Sequence, residues 1–128
     1  MRLFLLLFLL SNCMFAKDVY VISHENISTS KNEIEKFFLA KIDFIDGKKY
    51  SRISNEASLN SLAKVAYSLS AKKLSKKWIK QNFRKGTPFP VSLKSDKETL
   101  EWIKTHPKSI GFISTLQNEV PIIYTFKD

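Results

Sequence analysis

The sequence predicts an α/β fold with a largely parallel sheet. Short runs of branched and aromatic residues alternate with amphipathic helical stretches, and most of those stretches open on a serine placed to cap them. No low-complexity tract, proline-rich linker or internal repeat interrupts residues 17–128, which therefore read as one domain of ordinary size.

The elements follow in order. Asp18–Ser23 is a β-type run, and His24–Thr29 is a polar loop. Ser30-Lys-Asn-Glu33 is a capping box: the Ser30 hydroxyl can accept from the Glu33 amide while the Glu33 carboxylate reaches back. Ile34, Phe37 and Phe38 then fall at helical spacing, giving a helix to about Lys41. Asp46-Gly47 marks a tight turn. Lys49–Ser54 reads as a strand with Tyr50 or Arg52 on one face and Ile53 on the other. Ser58 reads as an N-cap before the stripe Leu59, Leu62, Ala63, Ala66 and Leu69. Ser70 opens a further helix with Leu74, Trp78, Ile79 and Phe83 expected inward, and Gly86 is placed to stop it. Pro88–Leu93 is extended, and its two prolines argue for an edge or a strand start. Ser95-Asp-Lys-Glu98 is a second capping box, opening a helix that carries Leu100, Trp102 or Ile103 and ends before Pro107. Ile110–Ile113 and Val120–Phe126 close the chain as strands. The expected order is β-α-β-α-α-β-α-β-β.

The amino end carries a different signal. Arg2, the apolar run Leu3–Leu10 and small or polar residues up to Ala16 have the layout of a secretory signal peptide. The run is far shorter than the ~20 residues a spanning helix needs. Cleavage after Ala16 would place Met14 at −3. A rival reading takes Leu10-Ser11-Asn12-Cys13 as a lipoprotein signal that anchors the protein through an acylated Cys13. Either way the expected location is periplasmic or otherwise extracytoplasmic, with no stable membrane insertion once the signal is removed. Export argues against ATP- and NAD-dependent cytosolic chemistry.

Losing residues 1–16 would leave 112 residues, without the lone Cys13, and 20 basic against 12 acidic side chains, a charge of about +8. That surplus concentrates anions, whether small oxyanions, acidic headgroups, cell-wall polymers or nucleic acid. It serves solubility equally well. Only His24 and His106 could join carboxylates at a metal, and no HExxH, EF-hand or Cys/His cluster occurs. There is no GxSxG elbow, no SxxK set and, with three glycines, no phosphate loop of the nucleotide-binding kind. The expectation is a protein that is not an enzyme and uses no cofactor. No RNP-like pattern surrounds Phe89, Tyr124 or Phe126, so nucleic acid is not an expected partner.

The remaining chemistry lies at helix starts. Ser28-Thr29-Ser30 and Ser58-Leu59-Asn60-Ser61 place hydroxyls beside free amides, where an oxyanion can be held. Arg52, six residues before Ser58, could add a forked cationic donor. A serine at a helix start is equally an ordinary cap.

Ile34–Lys41 (with Phe37-Phe-Leu-Ala-Lys41), Asp46-Gly47, Ser58 opening a helix, Lys77-Trp78, Gly86 and His106-Pro-Lys-Ser-Ile-Gly-Phe-Ile113 together resemble the small phosphate-binding-protein-like family. Its members are similar to one lobe of the type 2 periplasmic substrate-binding proteins of phosphate ABC transporters. The resemblance spans residues 19–114. Ala40 stands where the family has glycine, and its Arg…Ser-Gly-Thr grip survives as Arg52…Ala57-Ser58-Leu59. The resemblance implies a single type 2 periplasmic-binding-protein lobe over 17–128, a mixed, mostly parallel sheet flanked by helices. It implies recognition of phosphate or a similar oxyanion for an ABC-type transport system, with an ABC permease as partner. Ser58, Arg52, Ser28, Ser23 and Asn60 are the ligand-binding candidates, Ser23 and Ser28 lying where the family's first strand hands over to its polar loop. The alternative is a non-catalytic module that docks an envelope protein or anionic surface and binds no small ligand.

Overall fold

The computed structural model describes residues 17–128; the signal-peptide reading and Cys13 fall outside the described residues. Eleven elements follow one another: β1 (Val19–Ser23), α1 (Lys31–Phe38), β2 (Phe44–Ile45), β3 (Lys48–Lys49), β4 (Ser51–Asn55), α2 (Leu59–Tyr67), α3 (Ala71–Lys85), β5 (Val91–Leu93), α4 (Asp96–Thr105), β6 (Ser109–Ile113) and β7 (Ile122–Phe126). The main sheet has the order β5-β4-β6-β1-β7. β4 pairs parallel with β5 and β6, whereas β1 pairs antiparallel with β6 and β7. Four strands thus point one way and β1 alone opposes them. The sheet is mixed and mostly parallel, as expected.

Alternation along the strands divides the core in two. Val19, Val21, Ile110 and Phe112 face α1, α2 and α3, meeting Ile34, Phe37, Phe38, Leu62, Leu74 and Trp78. Ile22, Ile53 and Ile113 face the other way onto Ile103 of α4. Phe38 sits edge-on between Phe37 and Phe112, with centroids 5.2 and 5.4 Å away. The indole Nε1 of Trp78 donates to the Phe38 carbonyl at 2.7 Å, joining α3 to the end of α1.

Helix starts read from sequence form as expected at three places. Ser30, Ser70 and Ser95 each accept from the amide three residues on, at 3.1–3.2 Å. Glu33 does not reach back to its cap; it accepts from Thr29 Oγ1 at 2.7 Å and from the Asp46 amide at 3.4 Å. That second bond ties α1 to the β2–β3 hairpin. Asp46 and Gly47 both have positive φ, 51° and 76°, the conformation a two-residue turn between twisted strands requires. Gly86 ends α3 at φ 66°.

Three local expectations are corrected. The strand read as Lys49–Ser54 is broken at Tyr50 into β3 and β4. Ser58 precedes α2 without a side-chain capping bond. Ile79 and Phe83 do not point inward: they are 45% and 85% exposed. Nine residues are about two and a half helical turns, so Phe83 must oppose Leu74, which is buried.

Ala40 occupies the left-handed region at φ 61°, where the resembled family has glycine. Holding an alanine in this conformation costs roughly 1 kcal/mol of backbone strain.

Gly111 sits where β6 meets α4. A methyl there would lie 3.1 Å from Thr99 Cγ2, 3.3 Å from Ile53 Cβ and 3.5 Å from Ile103 Cδ1. Gly111→Ala is expected to destabilise the protein by about 1–3 kcal/mol through overpacking. Adding Thr99→Ser, which removes the nearest methyl, should recover part of the loss in a denaturant titration. A fully additive pair would argue against the contact.

Candidate functional site

Because β4, β5 and β6 run parallel, their carboxyl ends converge, and this is the edge of an open α/β sheet where ligands are generally received. Each end contributes polar groups. Asn55 is the last residue of β4, and Ser58 follows it at the start of α2. Asp96 opens α4 just after β5, and Ser114 and Thr115 follow β6.

These groups bond to one another. Asp96 Oδ1 accepts from Ser58 Oγ at 2.7 Å and from Asn55 Nδ2. Asp96 Oδ2 accepts from the Ser114 amide at 3.1 Å and from Thr115 Oγ1 at 2.8 Å. Ser114 Oγ donates to Ser58 Oγ at 2.9 Å, so Ser58 relays one hydroxyl to the next. Asn55 also donates to the Phe112 carbonyl at 3.2 Å and accepts from the Ala57 amide at 3.0 Å. Burial works against the Asp96 charge. The bonds from Ser58, Thr115, Asn55 and the Ser114 amide outweigh it and hold the carboxyl below its ordinary pKa. Asn55 and Ser58 are fully covered, whereas Thr115 is exposed, so the cluster meets solvent on the β6 side.

Of the residues singled out in the sequence, only Ser58 belongs to this cluster. It is 1% exposed and its hydroxyl is directed at Asp96, not at solvent. Asn60 lies exposed in the first turn of α2, and Ser28 is exposed in the loop before α1. Ser23 is buried and donates to the Glu25 carbonyl. Its strand runs antiparallel, pairing Ser23 with Ile110 at the opposite end of β6 from Ser114.

Arg52 is also paired with Ile110, at the level of the sheet remote from the cluster. Three residues of strand, about 10 Å, separate it from Asn55. The two side chains leave β4 on opposite faces, Arg52 over the Phe37 ring (4.8 Å to its centroid) and Asn55 toward α4. Arg52 is 5% exposed, and two of its three guanidinium nitrogens are engaged within the fold. Its Nε donates to the Phe37 carbonyl at 2.6 Å, and a terminal nitrogen donates to the Ile42 carbonyl at 2.9 Å and pairs with Asp43. Burial lowers its pKa, and Asp43 opposes that shift. The structure therefore does not bring Arg52, Ser23 and Ser58 to one place.

Asp96, Asn55, Ser114 and Thr115 were not singled out as site residues. Asp96 counted only as part of a capping box. The available signal was an acid at the first position of a helix that follows a parallel strand, which acquires meaning only once the neighbouring strand ends are known.

No protein-family model, curated protein or solved structure matches this chain. The phosphate-binding-protein-like resemblance accordingly rests on the quoted residues alone. Among the described residues, no group of three or more His, Cys, Asp and Glu is placed to hold a metal ion. Among them, too, no helix is long and apolar enough to cross a membrane.

Proposed function

We propose that the protein is a non-catalytic, extracytoplasmic interaction module built on a lobe like that of the substrate-binding proteins, and that it holds no small oxyanion at Ser58. One observation carries this reading: the Asp96 carboxylate already occupies the donors that an oxyanion would need. A second anion there would face an ionised carboxylate at hydrogen-bonding distance, which is strongly unfavourable in a partly buried site. Arg52, the expected cationic donor, is engaged elsewhere. What remains is a self-satisfied polar cluster that fixes three strand ends.

The competing reading, oxyanion capture for an ABC-type permease, draws support from the position of the cluster at the carboxyl ends of parallel strands. Isothermal titration separates the two. Phosphate, sulfate and a phosphonate are expected to give no saturable heat up to about millimolar concentration, an affinity of roughly −4 kcal/mol. Micromolar binding that Ser58→Ala abolishes would reverse the conclusion in favour of solute capture.

A further inference from the structure

We propose that the outer face of α3 docks the protein on an anionic lipid surface, Phe83 and Ile79 entering the headgroup region while the lysines around them face lipid phosphates. The proposal rests on the interaction-module reading and names its surface and partner.

α3 carries Lys72, Lys73, Lys76, Lys77, Lys80, Arg84 and Lys85 and not one acidic residue. All seven cations are exposed, and among the described residues none lies within ion-pair distance of a carboxylate. Helix stability accounts for part of this set only. Arg84 and Lys85 complement the carboxyl end of the helix, but Lys72 and Lys73 lie in its first turn, where the macrodipole favours acids. α4 follows that rule with Asp96 and Glu98, and α3 departs from it. Cations maintained against the local field suit an external anion.

The apolar part is equally directed. Lys72, Lys76, Ile79 and Phe83 succeed one another at steps of four, three and four residues and so share one face. That face opposes the buried Leu74. Phe83 is 85% exposed and Ile79 45%, and Phe89, 56% exposed, lines a groove of about 350 Å³ with Ile79. An exposed phenyl ring flanked along the helix by Lys76, Lys80 and Arg84 needs a partner that yields. A fluid bilayer accepts such a ring without a preformed pocket, whereas a folded acidic protein would need a matching cavity. Fifteen residues of helix extend about 22 Å, which spreads the charge along a surface. Apolar insertion together with a polybasic patch is the combination that makes interfacial binding stable.

The test uses protein recovered after export, with its amino terminus determined by mass, in co-sedimentation with vesicles. Vesicles of phosphatidylcholine with about 30% phosphatidylglycerol are expected to bind it, and pure phosphatidylcholine is not. Binding should weaken steeply between about 0.05 and 0.5 M salt. Phe83→Ser is expected to weaken it roughly tenfold, and Lys76→Glu with Lys80→Glu by about tenfold or more. These side chains are exposed, so unchanged circular dichroism and melting temperature are the accompanying controls. Absence of binding to the anionic vesicles overturns the proposal, as does binding that these variants leave intact. Binding of the protein to polyglutamate without vesicle binding also overturns it and makes the occupant an acidic polypeptide. A phosphate heat signal lost in Ser58→Ala sinks the module reading instead, whatever the vesicles do.

Discussion

Arg52→Ala is expected to destabilise the protein by about 2–4 kcal/mol, because it leaves the half-buried Asp43 without its cation, the Ile42 carbonyl without its side-chain donor and the Phe37 carbonyl with the Ala40 amide alone. The guanidinium joins the end of α1, the segment at Ile42–Asp43 and the middle of the sheet through one planar group. Arg52→Lys should recover less than half of the loss, since a single ammonium cannot reproduce the fork or its stacking over Phe37. Urea denaturation of the three proteins reads this directly. Wild-type stability in Arg52→Ala would show that these bonds contribute nothing and would return Arg52 to the list of candidate ligand residues.

The second large effect concerns Asp96. Asp96→Ala removes the acceptor for Ser58, Asn55, Thr115 and the Ser114 amide together. The expected loss is about 2–3 kcal/mol, the cost of leaving buried donors unsatisfied. For a domain of this size that is a fall of roughly 10 °C in melting temperature. The sign of the pH dependence follows from the lowered pKa. A carboxyl held below its unfolded value, about 3.9, stabilises the folded state fully above that pH. The contribution disappears as pH falls through the still lower folded value. The stability gap between wild type and Asp96→Asn should therefore be constant from neutral pH to about 5 and shrink below about 4. A gap that is constant down to pH 2–3 would mean that the carboxylate charge is not what the cluster holds.

Both residues bear on what the sequence can disclose. Caps and turns are legible because they are local: Ser30, Ser70, Ser95, Asp46-Gly47 and Gly86 sit where their own chemistry places them. Arg52 is misread for the same reason. An arginine near a serine-tipped helix looks like a ligand donor, and only the packing of α1 against β4 shows that its partners lie behind the sheet. Asp96 is silent in the sequence because its partners come from the ends of two other strands, up to 41 positions away. The reversal of β1 is equally invisible, since a strand's composition carries no sign of its direction. Ile79 and Phe83 could have been placed by counting turns from Leu74; hydrophobicity alone assigned them to the core.

β1 lies between β6 and β7, with Val19 opposite Phe126 and the Asp18 carboxylate accepting the Asp128 amide at 2.9 Å. Among the described residues, the first strand is thus held by the last two. Until Ile113 is available β1 has neither neighbour, and until Phe126 is available it has only one. Such long-range closure slows folding and leaves an open edge while it is pending. Removing the strand around Phe126 would accordingly strip Val19 and its neighbours of one flank, so that a change at one end of the described residues is felt at the other.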